Sequence, residues 1–185
     1  YPQVYLGGFF IEIQGGRIVN LQSYRDTWAE ISINAIKHNT SQFKEYIGES
    51  VNLMAVVKAD GYGHGAVRVA RAAVEEGADY LAVAILDEAI ELREAGISKP
   101  ILVLGYTPVR SIRQAIIAGV DLTVFSEDVL NEIIFQSEEI QKTVSIHLKV
   151  DTGMTRIGTQ TREEALILAA KAVESKFVFL KGIFT

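Results

Sequence analysis

The residues best suited to chemistry fall in two short stretches. In "NLMAVVKADGYGHG" (52–65) an apolar run stops at Lys58, and a loop rich in glycine follows, carrying Tyr62 and His64. An amine at the end of a buried strand is partly desolvated, which would lower its pKa and make it a usable nucleophile. The glycines at 61, 63 and 65 permit close backbone approach, and they put Tyr62 beside the amine. A surface lysine before a flexible turn would leave the same local pattern. The glycine spacing has neither the register of a dinucleotide fingerprint nor the lysine-serine or lysine-threonine pair of a phosphate loop.

The second stretch is "VSIHLKVDTGMTRIG" (144–158). Strand alternation places Val144, Ile146, Leu148 and Val150 on one face, and Ser145, His147, Lys149 and Asp151 on the other. If the apolar face meets helices, the polar ladder points into a barrel, where branched apolar side chains are the norm. An exposed edge strand with a solvated face is the alternative. Arg156, in the loop that follows, could present its planar fork to a carboxylate or phosphate, although an arginine after a turn is commonly a surface residue. His38, His64 and His147 lack metal-ligand spacing, so no metal is expected. "LDEAIELREAG" reads as a solvated helix face with Asp87, Glu88, Glu91 and Glu94 outside.

The elements that must position these residues alternate. Short apolar runs, "LMAVVK", "YLAVAI", "PILVLG", "LTVFS", "VSIHLKVD" and "LKGIFT", are separated by helix-period segments, the pattern of repeated βα units on a parallel sheet. Val67, Ala70 and Val74 share one helix face that Gly77 ends, Thr107-Pro108 has the form of an N-cap and first helical residue, and Thr161 with Glu164 has capping-box spacing. A further helix runs from near Asn34 to Gly48, and "WAEISI" before it reads as one more strand. Six such strands fit an open doubly wound sheet or an eight-stranded barrel. A full barrel needs about 250 residues, and this chain ends at Thr185 inside the sixth strand. The expectation is the first part of a longer protein, or a chain completed by another polypeptide.

Composition narrows the partners. The 185 residues are 49% hydrophobic and 22% charged, with room for one or two small domains. A net charge of −5 with both signs interspersed leaves no basic stripe for nucleic acid. There is no cysteine, and no apolar run approaches the roughly 20 residues of a membrane span. A cytoplasmic protein with neither nucleic-acid nor membrane partner is expected. Residues 1–23 lack the features of a signal peptide and read as an extension of separate origin, a processed end or an artificial addition.

Together the segments "RDTWAEISINAIKHN", "MAVVKADGYGHG", "LAVAILDEAIELREAGISKPILVLG", "LTVFS" and "HLKVDTGMTRIG" resemble, in order, the amino-terminal barrel of the alanine racemases. The resemblance covers residues 24–185. It implies an α/β fold of the (β/α)8 TIM type, incomplete here at about six βα units and without the family's carboxyl-terminal β domain. It also implies pyridoxal 5'-phosphate as cofactor and alanine as substrate. Lys58 matches the lysine that holds the cofactor and then serves as one of two opposed acid-base groups. Tyr62 matches the tyrosine that contacts the cofactor phosphate. Arg156 matches the arginine near the cofactor's phenolic oxygen and the substrate carboxylate, and Lys149 a lysine that is carboxylated in many members and orients that arginine. The second acid-base group in the family is a tyrosine from the partner subunit of a homodimer, and nothing in this chain matches it. The implied activity is interconversion of L- and D-alanine for peptidoglycan, with the chain alone inactive. A serine or broad-specificity racemase, a non-catalytic barrel that carries pyridoxal phosphate, and a purely structural fragment are the competing readings.

Overall fold

The computed structural model describes residues 3–6, 9–14, 17–22, 27 and 29–185. The chain divides into two compact units, Tyr1–Ile31 and Ser32–Thr185. In the first, β1 (Gln3–Leu6), β2 (Phe9–Gln14) and β3 (Arg17–Gln22) form an antiparallel sheet in the order β1-β2-β3. Gln3 pairs with Glu12, and Gln14 with Arg17.

The second unit is a six-stranded parallel sheet, β4 (Met54–Val56), β5 (Tyr80–Val83), β6 (Ile101–Val103), β7 (Asp121–Val124), β8 (Val144–Lys149) and β9 (Val178–Phe184). The strands lie in sequence order, with β4 and β9 at the two ends. α1 (Ile33–Ile47) precedes β4, and the right-handed helices α3 (Ala66–Glu75), α4 (Leu86–Glu94), α5 (Ile112–Ala118), α6 (Glu127–Glu139) and α7 (Arg162–Glu174) connect successive strands. Between β4 and α3 lies α2 (Lys58–Gly63), which has the opposite hand. All six strands read from the sequence are present.

Alternation sorts the sheet's faces. Leu81 and Val83, Ile101 and Val103, Leu122 and Val124, Ile146 and Leu148 are buried in one core with Ala70, Ala89, Leu92, Ile112, Ile116, Leu130, Ile133 and Leu168 of the helices. Burying a side chain of this size contributes about 1.5–3 kcal/mol, so this layer holds the helices to the sheet. The opposite, inner face carries Tyr80, Asp121, His147 and Lys149. The polar ladder of β8 therefore faces inward, and its apolar residues meet the helices. Among the described residues no helix is long and apolar enough to cross a membrane.

Helix ends follow local chemistry. Ser32 Oγ accepts the Ala35 N–H at 3.2 Å, and Gly48 ends α1 at φ 74°. Thr161 and Glu164 form the expected reciprocal cap of α7. Two expectations fail. Trp28 lies outside the described residues, but Ala29–Ser32 forms no strand, because Ser32 commits the chain to α1 at Ile33. Thr107-Pro108 does not open a helix either: Pro108 is extended (φ −56°, ψ 141°), Thr107 is buried, and the chain turns first through a 3-10 segment, Val109–Ser111.

Candidate active site

Lys58 follows the buried Val57, whose N–H donates to Ala82 O at 2.8 Å, so the lysine leaves the sheet at the carboxyl end of β4. The next four residues, Ala59, Asp60, Gly61 and Tyr62, have φ between 51° and 61° and ψ between 38° and 54°. They form one turn of left-handed helix. That conformation costs roughly 1–2 kcal/mol for each residue with a Cβ, so hydrogen bonds from outside the turn must hold it.

Those bonds are present. Gly61 N–H donates to Val57 O at 2.9 Å and Gly65 N–H to Asp60 O at 2.9 Å, while Asp60 Oδ1 accepts the Ala66 N–H at 2.8 Å and so caps α3. Gly61 is buried, and a Cβ there would stand 3.1 Å from Val69 Cγ2. Glu88 Oε1 accepts the Ala59 N–H at 2.6 Å; its Oε2 accepts the Ala84 N–H at 2.7 Å and the Ile85 N–H at 3.3 Å. The expectation that Glu88 belongs to a solvated face is thus corrected: it is half-buried and bound to three backbone amides. As the third residue of α4 it reaches back to Ile85 like half a capping box, and Ile85 has no oxygen to reciprocate. A glutamate at that helical position was the available sequence signal.

The turn brings two of the sequence candidates together. Lys58 Nζ lies 5.9 Å from the centroid of the Tyr62 ring, which is 58% exposed. No carboxylate pairs with the Lys58 amine among the described residues.

Lys149 and Arg156 lie at the same end of the sheet but on β8 and its loop, four strands from β4 in the sheet order. Lys149 is 6% exposed, and its Nζ stands 5.0 Å from the Phe184 ring centroid, with no carboxylate partner among the described residues. A buried ammonium without a counter-ion is costly. Arg156 is exposed in loop 151–158. That loop is closed at its base by Thr159 N–H to Lys149 O and Asp151 N–H to Thr159 O, both 2.9 Å. Inside it, Asp151 Oδ1 accepts the N–H groups of Gly153 and Thr155, each at 2.9 Å. These two bonds, the one from Thr155 foremost, hold the Asp151 carboxyl below the usual carboxylate range.

The inner face also carries a cluster of which the sequence signalled only His147: Tyr80 and Asp121 begin β5 and β7, and His147 and Lys181 lie midway along β8 and β9. Asp121 Oδ2 accepts the Tyr80 hydroxyl at 2.9 Å and pairs with Lys181 Nζ at 3.3 Å. Lys181 is the extra residue of a bulge between β8 and β9, and burial pushes its ammonium below the usual lysine range. His147 Nε2 is 3.6 Å from Asp121 Oδ2 and has no hydrogen-bond partner among the described residues. Its ring lies over Gly182, where a Cβ would come within 2.9 Å of Nδ1. At the carboxyl end the Thr107 hydroxyl, 1% exposed, is likewise unpartnered among the described residues.

Comparison with known proteins matches residues 31–185 to the family described as alanine racemase, N-terminal domain. The chain is 56% identical over 163 residues to alanine racemase 2 of Oceanobacillus iheyensis, which spans 88% of this chain and 41% of that protein. It is similar to the crystal structure of alanine racemase from Bacillus anthracis with bound L-Ala-P, at TM-score 0.78 and 43% identity, covering 87% of this chain and 42% of that one. It is also similar to histidine racemase from Leuconostoc mesenteroides subsp. sake, at TM-score 0.75 and 30% identity, covering 82% and 40%. The chain thus spans about two fifths of the length of the relatives it matches. The parallel sheet with its alternating helices is an unclosed TIM-type barrel, and that decides between barrel and open doubly wound sheet.

Proposed function

Because this chain belongs to the alanine racemase N-terminal domain family, we propose that residues 24–185 are the amino-terminal part of a pyridoxal-phosphate-dependent racemase that interconverts L- and D-alanine. The observation that carries the reading is the left-handed turn, which sets Lys58 and Tyr62 side by side at the carboxyl end of β4. Residues 1–23 are an extension outside this reading. The product, D-alanine, is a building block for peptidoglycan, and the working protein is a cytoplasmic homodimer. Support for a missing remainder comes from the open ends of the sheet and from the exposed apolar side chains Phe179 and Ile183 on β9.

The residues fit the cofactor. Lys58 offers an amine without a carboxylate partner among the described residues, at the end of the barrel where such sites are built. Pyridoxal 5'-phosphate, when bound, supplies an electron sink that makes the α-proton of an amino acid removable. Lys58 would hold the cofactor and then take or give the proton on one face of the α-carbon. Tyr62 would donate a hydrogen bond to the phosphate. Arg156 would bind the substrate carboxylate through its planar fork. Lys149, through its neutral amine, would add carbon dioxide at Nζ and release a proton, giving a carbamate anion that orients Arg156 and takes the place of an uncompensated buried cation. The proton on the opposite face would come from a group in the carboxyl-terminal part of a partner subunit.

The test is borohydride reduction of the full-length protein with added pyridoxal phosphate, followed by peptide mapping and an alanine racemisation assay. Label on Lys58, and activity abolished by Lys58→Ala, are expected. Label scattered over surface lysines would overturn the reading. The likeness to a histidine racemase favours one second reading, a racemase of another amino acid, and rates on histidine and serine exceeding that on alanine would establish it. Label on Lys58 without racemisation of any amino acid would point to the non-catalytic carrier barrel.

A further inference from the structure

We infer that Glu88 is a positioning residue for Lys58, acting through the backbone and not by touching substrate. The amide that Glu88 Oε1 accepts at 2.6 Å is the N–H of Ala59, which belongs to the peptide unit formed with the Lys58 carbonyl. Fixing that plane fixes the direction in which the chain leaves Lys58 and enters the left-handed turn. The other oxygen is bonded to Ala84 N–H at 2.7 Å and Ile85 N–H at 3.3 Å, where β5 gives way to α4. β5 is anchored by the buried Leu81 and Val83, and α4 by Leu86, Ala89 and Leu92. One carboxylate therefore ties a strained, half-exposed turn to a rigid part of the barrel.

Chemistry favours an anion at this point. Bonds from backbone amides to a carboxylate are shorter and stronger than those to a neutral oxygen. Glu88 lies in the first turn of α4, where the helix dipole stabilises negative charge. The bond arrives at Ala59, the first of the four left-handed residues and one that has a Cβ, so it acts where the backbone is least able to hold itself. A glutamine at 88 preserves the shape but presents an NH2 group to one of the two amide sites. An alanine removes both.

The inference rests on the proposed role of Lys58, and two readouts in the full-length protein separate their failures. The first needs no cofactor: amide hydrogen exchange of the cofactor-free protein. Glu88→Gln and Glu88→Ala should raise the exchange rate at Ala59 by about tenfold or more, the effect of losing a hydrogen bond to a charged group, with alanine the larger. Glu91→Gln on the same helix is the control and should change nothing. The second is the rate of borohydride-trapped labelling at Lys58 with added pyridoxal phosphate, read with kcat and KM for alanine. Labelling and kcat should fall about tenfold or more, while KM moves little. Wild-type exchange at Ala59 in both Glu88 variants would overturn the clamp. Faster exchange with unchanged labelling and kcat would show a clamp that serves the fold and does not position Lys58. Absence of Lys58 label in the wild-type protein would overturn the functional reading itself, and with it this role of Glu88.

Discussion

Asp79 Oδ2 lies 2.8 Å from Lys44 Nζ and 2.8 Å from the Leu53 backbone nitrogen, so one carboxylate joins α1, the entry to β4 and the start of β5. The Lys44 ammonium first, and the Leu53 N–H second, hold the Asp79 carboxyl below the usual carboxylate range. A folded pKa below the unfolded one adds stability that is fully present above about pH 3.9 and drains away as pH falls through the folded value. Asp79→Asn should therefore lower Tm at pH 7, and its difference from wild type should shrink as the pH is taken below about 4. Thermal melts of the full-length protein across that range check this. A difference independent of pH would mean that the charge at Asp79 contributes nothing.

Gly61 and Gly63 both have positive φ, 61° and 78°, but only Gly61 is packed. A Cβ at Gly61 would press on Val69 Cγ2 and the Ala66 backbone, whereas at Gly63 nothing lies within 4 Å. Gly63→Ala should destabilise by about 1 kcal/mol through backbone strain alone. Gly61→Ala should destabilise by about 2–3 kcal/mol, because strain and overpacking add. Urea denaturation of the two variants compares them directly, and equal losses would show that packing against α3 is irrelevant.

Much of the barrel was legible because its strands are short apolar runs with clear partners in sequence order. The site was legible only in part. Lys58 and Tyr62 were placed correctly beside one another, yet the left-handed helix was not foreseen: glycines at 61, 63 and 65 signal positive φ, but Ala59, Asp60 and Tyr62 adopt it under bonds that come from Val57, Glu88 and α3. Glu88 was misread because charge periodicity cannot distinguish a solvated carboxylate from one that folds back on three amides. Thr107-Pro108 was misread because the motif is local, while the burial of Thr107 is tertiary. The pairing of β2 with β3 has a signal in the sequence: "FFIEIQ" and "RIVNLQ" flank a Gly-Gly pair, the composition of a two-residue hairpin.

Arg93 binds four backbone carbonyls, Ile97 and Lys99 at 2.8 Å each, Gly119 at 2.9 Å and Ala118 at 3.2 Å. It thereby ties the end of α4 and the loop leading to β6 to the end of α5. A planar fork with five donors suits this, and a lysine point charge does not. Arg93→Ala should cost about 2–4 kcal/mol through the carbonyls it leaves unpaired, and Arg93→Lys should recover less than half of that. Chemical denaturation of both variants decides it; full recovery by lysine would show that charge alone matters.

Gly158 closes the loop that carries Arg156. Its φ is 135°, and a Cβ there would stand 2.5 Å from Asp151 N and 2.8 Å from Val150 C, both backbone atoms that cannot rotate away. The same Asp151 nitrogen donates to Thr159 O, and its carboxylate organises Gly153 and Thr155, so a methyl group at 158 must push the loop off its base. If Arg156 binds the substrate carboxylate, a displacement of even about 1 Å should lower kcat/KM for alanine by about a hundredfold. The clash is with backbone and falls beside the bonds that seat the buried Thr159 on β8, so Tm should also fall, by at least as much as for Gly61→Ala. Steady-state kinetics and melts of full-length Gly158→Ala provide both numbers. Activity within about twofold of wild type would mean that the loop's seat on Asp151 does not set the position of Arg156, and that the guanidinium finds its target without it.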